Sequence, residues 1–446
     1  MDKGGAARDA HNQRRPGRRA RLNGPAAEAL SCVLLAAILL TAIIRPKRLP
    51  EAAVAVPAAL IVILAGALPV HAARAEVDRL LPVLAFLAAV LVLGHLCQEQ
   101  GLFTAAGAWL ARASRGSPVR LLTGVFGIAS VTTAVLSLDT TVVLLTPVVH
   151  DTAVRLRVRA KPQVYACTHL ANSASLLLPV SNLTNLLAYS VAGITLTHFA
   201  GLMALPWVVA IGVEYLAFRW FFRRDLAVVP RPRPAPSRVP RPADSRVPLF
   251  PLVTVAATLA GFVVTSFAGL SPAWAALAGA VLLAARGLAQ RQVTAGRLAR
   301  AAGIPFLLFV LGLGVVVEAV VANGLGSAIA RLIPSGSSLP ALLAITGVAA
   351  VLANVVNNLP AVLVLLPVVT GLGPLAGAGP VLAVLIGVNI GPNLTYAGSL
   401  ATLLWRRLLA ERDHETDLGE FTRLGLLTVP VALVIATAAL WAVLQA

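Results

Sequence analysis

Residues 352–367 read LANVVNNLPAVLVLLP, an apolar run that is interrupted by three asparagines and a proline. An amide in hydrocarbon without a hydrogen-bond partner costs about 2–7 kcal/mol, depending on the reference medium. Proline removes a backbone donor and breaks a helix. This run therefore predicts a helix that is interrupted inside the membrane, with amides that line a binding site.

The composition of the whole chain is that of a membrane protein. Of its 446 residues, 58% are hydrophobic and 12% are charged, whereas about a quarter of the residues in a soluble domain are charged. The net charge of +18 lies in loops and tails, where it sets topology and does not indicate nucleic acid binding. The cysteines Cys32, Cys97 and Cys167 show no metal-ligand or redox spacing. We predict no metal site and no cofactor.

The apolar runs predict an all-α polytopic membrane protein with about five transmembrane helices in each half. Runs of about 20 residues, long enough to cross a bilayer, lie near 26–44, 51–70, 80–98, 201–222, 249–270, 273–290, 301–322 and 424–444. Two longer runs, 163–198 and 378–409, are broken in the middle by polar residues. Glu214 lies near the end of a predicted span, and we expect it at the membrane interface.

Four segments organise the chain. Residues 1–25 are polar and arginine-rich, which predicts a disordered basic tail. Residues 223–248 alternate proline and arginine, which predicts an extended linker. The tail and the linker bound a first transmembrane repeat at 26–222 and a second at 249–446.

The two halves resemble each other, which indicates an internal duplication. Three pairs of segments align in the same order: 81–94 with 304–317, 136–149 with 355–369, and SNLTN (181–185) with PNLTY (392–396). Five spans in each half is an odd number, so the second repeat enters the membrane in the opposite sense. We therefore expect two inverted repeats.

Each repeat is expected to contain a re-entrant hairpin and one broken helix. The hairpins have polar tips at 137–141 and 357–360, and the limb 121–136 would be only about 24 Å long as a helix. The motifs at 181–185 and 391–399 interrupt the two long apolar runs. Irregular backbone at this depth is tolerated only where protein or a water-filled cavity covers it. The four interruptions should therefore meet at one central site, as in secondary transporters.

The candidate site residues are the polar side chains of these four interruptions. The predicted substrate ligands are Asn182, Thr184, Asn185, Asn357, Asn358, Asn393, Thr395 and Ser399. Asp139 is the lone carboxylate among them, and a carboxylate at mid-membrane costs about 2.5–3.5 kcal/mol, so we predict that Asp139 carries the coupling proton beside Thr141. Two alternatives stay open: the amides only hold helices together, or Asp139 only caps a helix.

These motifs resemble a known family. VNNLPAVLVLLP, GVNIGPNLTYAGSLATLLWRR and LPVSNLTNLL are similar to the arsenite efflux permeases (arsenical pump membrane proteins) of the ion transporter superfamily, from about residue 28 to the C-terminus. The first tip of that family usually reads Asn-Asn-Asp, where this chain has Ser137, Leu138 and Asp139. In the first break, Leu183 replaces the usual proline.

The resemblance implies a fixed scaffold around a moving site, and efflux of arsenite or antimonite coupled to proton antiport. Two alternatives of the same superfamily share this architecture: a sodium/proton antiporter and a sodium-coupled, citrate-like carboxylate transporter. We expect no enzyme activity, because no nucleophile with a base is visible in the apolar runs. The expected partners are a small inorganic solute or ion and the lipid bilayer of the inner membrane, while an arsenic ATPase subunit and a homodimer are also compatible with the sequence.

Overall fold

A computed structural model of the chain describes residues 24–44, 52–228, 248–268, 270–325, 331–334, 336–371, 377–410 and 416–446. These residues form helices that are joined by turns, and no β-strand occurs among them. Six of the described helices are long and apolar enough to cross a membrane. The predicted all-α polytopic architecture is confirmed.

The helices of the first half end before the predicted linker. They are α1 (Pro25–Ile44), α2 (Ala52–Leu64), α3 (Val70–Glu99), α4 (Leu102–Ser114), α5 (Pro118–Val135), α6 (Leu138–Thr140), α7 (Thr146–Arg155), α8 (Lys161–Ser173), α9 (Leu183–Ala192), α10 (Leu196–Phe221) and α11 (Arg223–Leu226). A π-helical turn, Thr141–Leu145, joins α6 to α7.

The second half repeats this order. Its helices are α12 (Leu249–Phe267), α13 (Ala273–Ala289), α14 (Ala295–Ala301), α15 (Ile304–Val320), α16 (Leu339–Val356), α17 (Asn358–Thr370), α18 (Gly379–Ile390), α19 (Leu400–Ala410) and α20 (Leu418–Gln445).

The second predicted span is shorter than the sequence indicates. The apolar run 51–70 forms a helix of only 13 residues, α2. Gly66, with a φ of 76°, ends this helix in a left-handed turn, and Pro69 then precedes the 30-residue helix α3. Hydrophobicity continues through this turn, so the apolar run alone did not reveal where the helix ends.

Helices of one half pack against helices of the other in a reciprocal pattern. Helix α3 of the first half packs against α13 of the second half. Conversely, α15 of the second half packs against α2 of the first half. A Cβ atom on Gly312 of α15 would lie 2.7 Å from the carbonyl oxygen of Ala55 on α2. The last long helices of the two halves, α10 and α20, also pack along each other. Each half therefore buries much of its surface on the other half.

The predicted linker begins with structured residues. Residues 223–226 form the short helix α11, in which Leu226 is buried and Asp225 forms an ion pair with Arg159. The extended-chain prediction for residues 223–226 is therefore wrong, because an apolar side chain and an ion pair anchor this turn. Residues 229–247 and the tail residues 1–23 lie outside the described part of the chain.

Candidate functional site

The first hairpin turns at Ser137. This residue has a φ of 148° and accepts a hydrogen bond at its Oγ from the Thr140 N–H, which caps α6. The hydroxyls of Thr133 and Thr141 are 2.7 Å apart, although residues eight positions apart in a continuous helix would be about 12 Å apart. The chain therefore reverses here, and the predicted hairpin is confirmed. Asp139 lies half-buried just inside α6, and the N-cap position belongs to Ser137.

The second hairpin turns at Asn357, the equivalent position. Asn357 has a φ of 79° and a ψ of 158°, a strained backbone region that is otherwise found almost only at glycine. The helix α17 begins at the next residue, Asn358, and packs back against α16. Both asparagines are buried, so the polar tip predicted at 357–360 is enclosed by protein.

Both predicted broken helices are present, and they share one backbone pattern. After α8, a 3-10 turn (Ala174–Leu177), an extended Leu178, a second 3-10 turn (Pro179–Ser181) and an extended Asn182 lead into α9. After α18, the same order runs through Gly391–Leu394, Thr395, Tyr396–Gly398 and Ser399 into α19.

This shared pattern corrects the alignment of the two breaks. Asn182 corresponds to Ser399, whereas the motif alignment placed it on Asn393. The same register places Asn172 of α8 on Asn389 of α18. Both motifs contain the sequence Asn-Leu-Thr. Aligning these identical residues gave a register that differs from the structural one.

Asn389 joins the second repeat to the first break. Its Oδ1 accepts hydrogen bonds from Asn182 Nδ2 and Thr184 Oγ1, both at 2.9 Å, and its Nδ2 donates to Asn185 Oδ1 at 2.6 Å. These four side chains, Asn182, Thr184, Asn185 and Asn389, form what we call the asparagine cluster. All are buried, so each amide finds a protein partner at a depth where no lipid could supply one.

A second group of buried polar residues lies around Glu214 of α10. Asn393 donates from Nδ2 to Glu214 Oε1 at 2.9 Å and to the His169 carbonyl oxygen at 3.0 Å. Ser173 Oγ donates to Glu214 Oε2 at 3.0 Å, and Asn172 Nδ2 donates to Asn393 Oδ1 at 2.8 Å. We call Asn172, Ser173, Glu214 and Asn393 the carboxylate cluster. The expectation that Glu214 is interfacial is wrong, because its side chain is fully buried.

The remaining predicted residues of the second break have local partners. Thr395 Oγ1 donates to Asn354 Oδ1 at 2.8 Å, and Asn354 donates to the Gly391 carbonyl oxygen at 2.8 Å. Ser399 accepts at Oγ from the Ala401 N–H and so caps α19. Asn354, the first asparagine of the opening run, therefore ties the second hairpin to the second break.

Each hairpin tip packs against the break region of the other repeat. The π-helical turn Thr141–Leu145 of the first hairpin contacts α19, which follows the second break, and α17 contacts α9, which follows the first break. A Cβ atom on Gly94 would lie 2.8 Å from Thr140 Oγ1, so glycine lets α3 approach the first tip. Each tip is therefore packed on the break region of the other repeat, and one central substrate site formed by the four interruptions stays a prediction.

Sequence reasoning missed four buried residues here: His169, Asn172, Glu214 and Asn389. Asn172 and Asn389 occupy equivalent positions of the two repeats, and this shared asparagine was a signal once the correct register was known. Glu214 gave no such signal. Hydropathy alone placed it near the end of a predicted span, and it could not show that the side chain faces the protein interior.

A small apolar cavity of about 140 Å³ borders the first break at Pro179 and Val180. Its lining includes Phe86 and Leu186, whereas the amides of the asparagine cluster bond to one another. No group of three or more histidine, cysteine, aspartate or glutamate side chains that could hold a metal occurs among the residues that the structure describes. The polar interior therefore offers neutral hydrogen-bonding groups and one buried carboxylate.

The chain is similar to known membrane transport proteins. The arsenical pump membrane protein of Escherichia coli is 28% identical over 362 residues, covering 78% of this chain and 83% of that protein. The protein of the same name from Yersinia enterocolitica is 28% identical with the same coverage. The crystal structure of the YdaH transporter of Alcanivorax borkumensis shares the fold, with a TM-score of 0.59 and 15% identity over 84% of this chain and 87% of that chain.

These similarities identify a multi-pass transporter of the inner membrane, and they confirm the resemblance to the arsenite permeases. The model of the citrate transporter family matches residues 35–388, which is most of the chain. This chain therefore belongs to the citrate transporter family.

Proposed function

We propose that this protein exports arsenite and antimonite in exchange for protons, with its two repeats inserted in opposite senses. The observation that carries the proposal is the asparagine cluster, in which one amide of the second repeat bonds three side chains of the first break. Relatives that bear the name arsenical pump membrane protein support the choice of cargo.

The chemistry of the interior suits a small neutral solute. Arsenite at neutral pH is mostly an uncharged trihydroxide, which presents hydroxyl groups that both donate and accept hydrogen bonds. Amide and hydroxyl side chains match such a solute. No cysteine occurs in either tip or either break, so recognition through hydrogen bonds is favoured over capture by thiols.

In this proposal the substrate replaces bonds that the polar residues now make with one another. The ligands are those predicted from the sequence, Asn182, Thr184, Asn185, Asn357, Asn358, Asn393, Thr395 and Ser399, joined by Asn172 and Asn389. Asp139, beside Thr141 in the first hairpin, is the coupling carboxylate in this scheme. Opening toward one side of the membrane would part the two breaks and expose their amides.

A sodium-coupled carboxylate transporter is the second candidate, because the matching family model is described as a citrate transporter. A tricarboxylate carries several negative charges, and its binding calls for positive side chains. Neither the asparagine cluster nor the carboxylate cluster includes a lysine or an arginine. One member of the carboxylate cluster, Glu214, is itself a carboxylate. This charge balance favours the neutral solute.

The test is transport by the purified protein in liposomes. We expect arsenite accumulation when a pH gradient is imposed in sodium-free buffer, without ATP and without a second subunit. Citrate uptake under a sodium gradient is measured in parallel. Citrate transport without arsenite transport would overturn the proposal in favour of the second candidate, while a strict requirement for ATP would point to an arsenic ATPase subunit.

A further inference from the structure

Two ionisable side chains, His169 and Glu214, form a pair that is fully enclosed beside the second break. His169 Nδ1 lies 3.7 Å from Glu214 Oε1, and both side chains are fully buried. Neither ring nitrogen of His169 has a hydrogen-bond partner among the described residues. The imidazole packs against Phe218 and Phe421, with ring centroids 5.1 and 5.3 Å away. An unbonded imidazole facing a carboxylate in an apolar enclosure requires an explanation.

We propose that His169 and Glu214 together form a proton-binding site that controls whether the second break is tied to the first repeat. One proton, held on the carboxyl group or on the imidazole beside an ionised carboxylate, leaves the pair neutral overall. Without that proton the pair carries an uncompensated negative charge, which burial strongly disfavours. Release of the proton therefore requires that the enclosure opens to water.

The hydrogen bonds of Glu214 give this proton a mechanical effect. An ionised carboxylate only accepts hydrogen bonds, whereas a protonated carboxyl also donates one. Glu214 now accepts from Asn393 of the second break and from Ser173 of α8. With the proton on the imidazole, the carboxylate keeps both bonds. A proton on Oε1 instead sets a donor against the amide N–H of Asn393 and weakens the bond that holds the second break. A proton on Oε2 can be accepted by the Ser173 hydroxyl, which donates to the His169 carbonyl oxygen at 2.9 Å.

The pair occurs in the first repeat only. The residue of α18 that corresponds to His169 is Ile386, which is buried and apolar. The apolar part of α20, the counterpart of α10, contains no carboxylate between residues 421 and 445. The proton site therefore differs between the two repeats, whereas Asn172 and Asn389 occupy equivalent positions in them.

Other titratable groups on the surrounding elements have their own contacts. Tyr165 and Tyr396 pack against Phe421, and Tyr215 bonds Thr123. The charged groups on the packed helices pair mainly with one another, as in Lys161 with Glu420, Arg159 with Asp225 and His150 with Asp151. The other described ionisable side chains on these helices are Arg120, Asp139, Arg155, Cys167, His198, Arg219, Arg223, Arg224, Arg406 and Arg423.

The experiment compares Glu214→Gln and His169→Gln with a matched control, Glu99→Gln. Glu99 also faces a histidine, His95, at 3.8 Å, but this pair is partly exposed. In liposomes, the ratio of accumulation driven by a pH gradient to arsenite counterflow should fall at least about tenfold in both pair variants, while the control keeps this ratio. Normal gradient-driven accumulation in both pair variants would overturn the inference.

This inference rests on the proposed function only in taking the proton as the coupling ion, and a second measurement separates the two. Infrared difference spectra of the reconstituted protein between acid and alkaline pH, without any substrate, should show a carboxyl signal that Glu214→Gln removes and Glu99→Gln does not. A failure of arsenite transport by the unchanged protein, with this signal present, would refute the cargo alone. Spectra of Glu214→Gln identical to those of the unchanged protein would refute the proton site. Because no substrate is needed, the spectra can be interpreted even if the variant has lost counterflow.

Discussion

Asn389 is the single residue on which the closure of the first break depends most directly. Replacing it with alanine would remove one hydrogen bond from each of three buried side chains, Asn182, Thr184 and Asn185. Each buried group that loses its hydrogen bond costs about 1–3 kcal/mol. We therefore expect Asn389→Ala to lower the melting temperature of the purified protein by several degrees, as measured by scanning fluorimetry.

The control for this variant is Asn323→Ala. Asn323 is only partly buried, and its amide donates to the carbonyl oxygens of Ala67 and Ala319. Its loss strands no other side chain, so the melting temperature should fall less. Equal shifts for the two variants would show that the asparagine cluster has no special role in stability.

Asn358 and Asn393 are expected to face the substrate during transport. Losing one partner of a buried hydrogen bond costs about 1–3 kcal/mol, which corresponds to a 5- to 150-fold change in affinity. Alanine at either position should therefore raise the apparent Kd for arsenite by roughly this factor. If both variants keep the original apparent affinity, these amides only hold helices together.

Asp139→Asn tests the coupling carboxylate predicted from the sequence. The change keeps the shape of the side chain and its hydrogen bonding but removes its proton. The variant should still exchange arsenite down its gradient and should lose accumulation driven by a pH gradient, as followed with a pH-sensitive dye inside vesicles. Proton movement in step with arsenite in this variant would show that Asp139 does not carry the coupling proton.

At the residue scale, the sequence located the interruptions correctly but not their partners. The tips and breaks were visible because asparagine, proline and glycine stand out within apolar runs. The partners Asn172 and Asn389 lie inside regular helices, where nothing in the local pattern separates a buried polar residue from one that only holds helices together. Only the packing of the two repeats shows that Asn172 bonds Asn393 of the second break and that Asn389 bonds Asn182 of the first break.

At the scale of elements, α16 and α18 pack so closely that one methyl group matters. A Cβ atom on Gly387 of α18 would lie 2.4 Å from the Thr346 carbonyl oxygen and 2.5 Å from Ala349 Cβ. Overpacking of this kind costs about 1–3 kcal/mol. We expect Gly387→Ala to reduce both the yield of folded protein and its melting temperature in detergent.

The matched control lies on the facing helix. Gly347 of α16 has no atom within 4 Å of the position that a Cβ would take, and alanine favours the helix interior by up to about 1 kcal/mol over glycine. Gly347→Ala should therefore leave the melting temperature unchanged or raise it. A loss of stability as large as that of Gly387→Ala would show that close packing is not the reason.

The predicted elements are most reliable where polarity and helix breakers coincide. The hairpin turns at Ser137 and Asn357 and both broken helices are where the sequence predicted them. The end of α2 was not predicted, since apolar residues continue through the turn at Gly66. A hydrophobic run specifies burial in the bilayer, whereas α2 ends where Gly66 takes a positive φ and the amides of residues 66–68 bond back to Val62 and Ile63.

At the scale of the whole molecule, replacing the linker shows whether transport depends on the sequence that connects the two halves. Residues 229–247 are rich in proline and arginine, and such a segment cannot bury a core. Replacing these residues with a glycine and serine linker of equal length should leave arsenite transport near normal. The replacement spares Leu226 and Asp225, which anchor α11. Loss of transport at normal expression would show that the linker has a role of its own.

The reciprocal packing of the halves has a consequence for biosynthesis. Helix α2 has 13 residues, about 20 Å of helix, and its close partner α15 is translated some 240 residues later. Until α15 leaves the ribosome, α2 is too short to span the bilayer comfortably and lacks the helix that covers it. During synthesis, the face of α2 that packs on α15 therefore stays uncovered until the second half arrives.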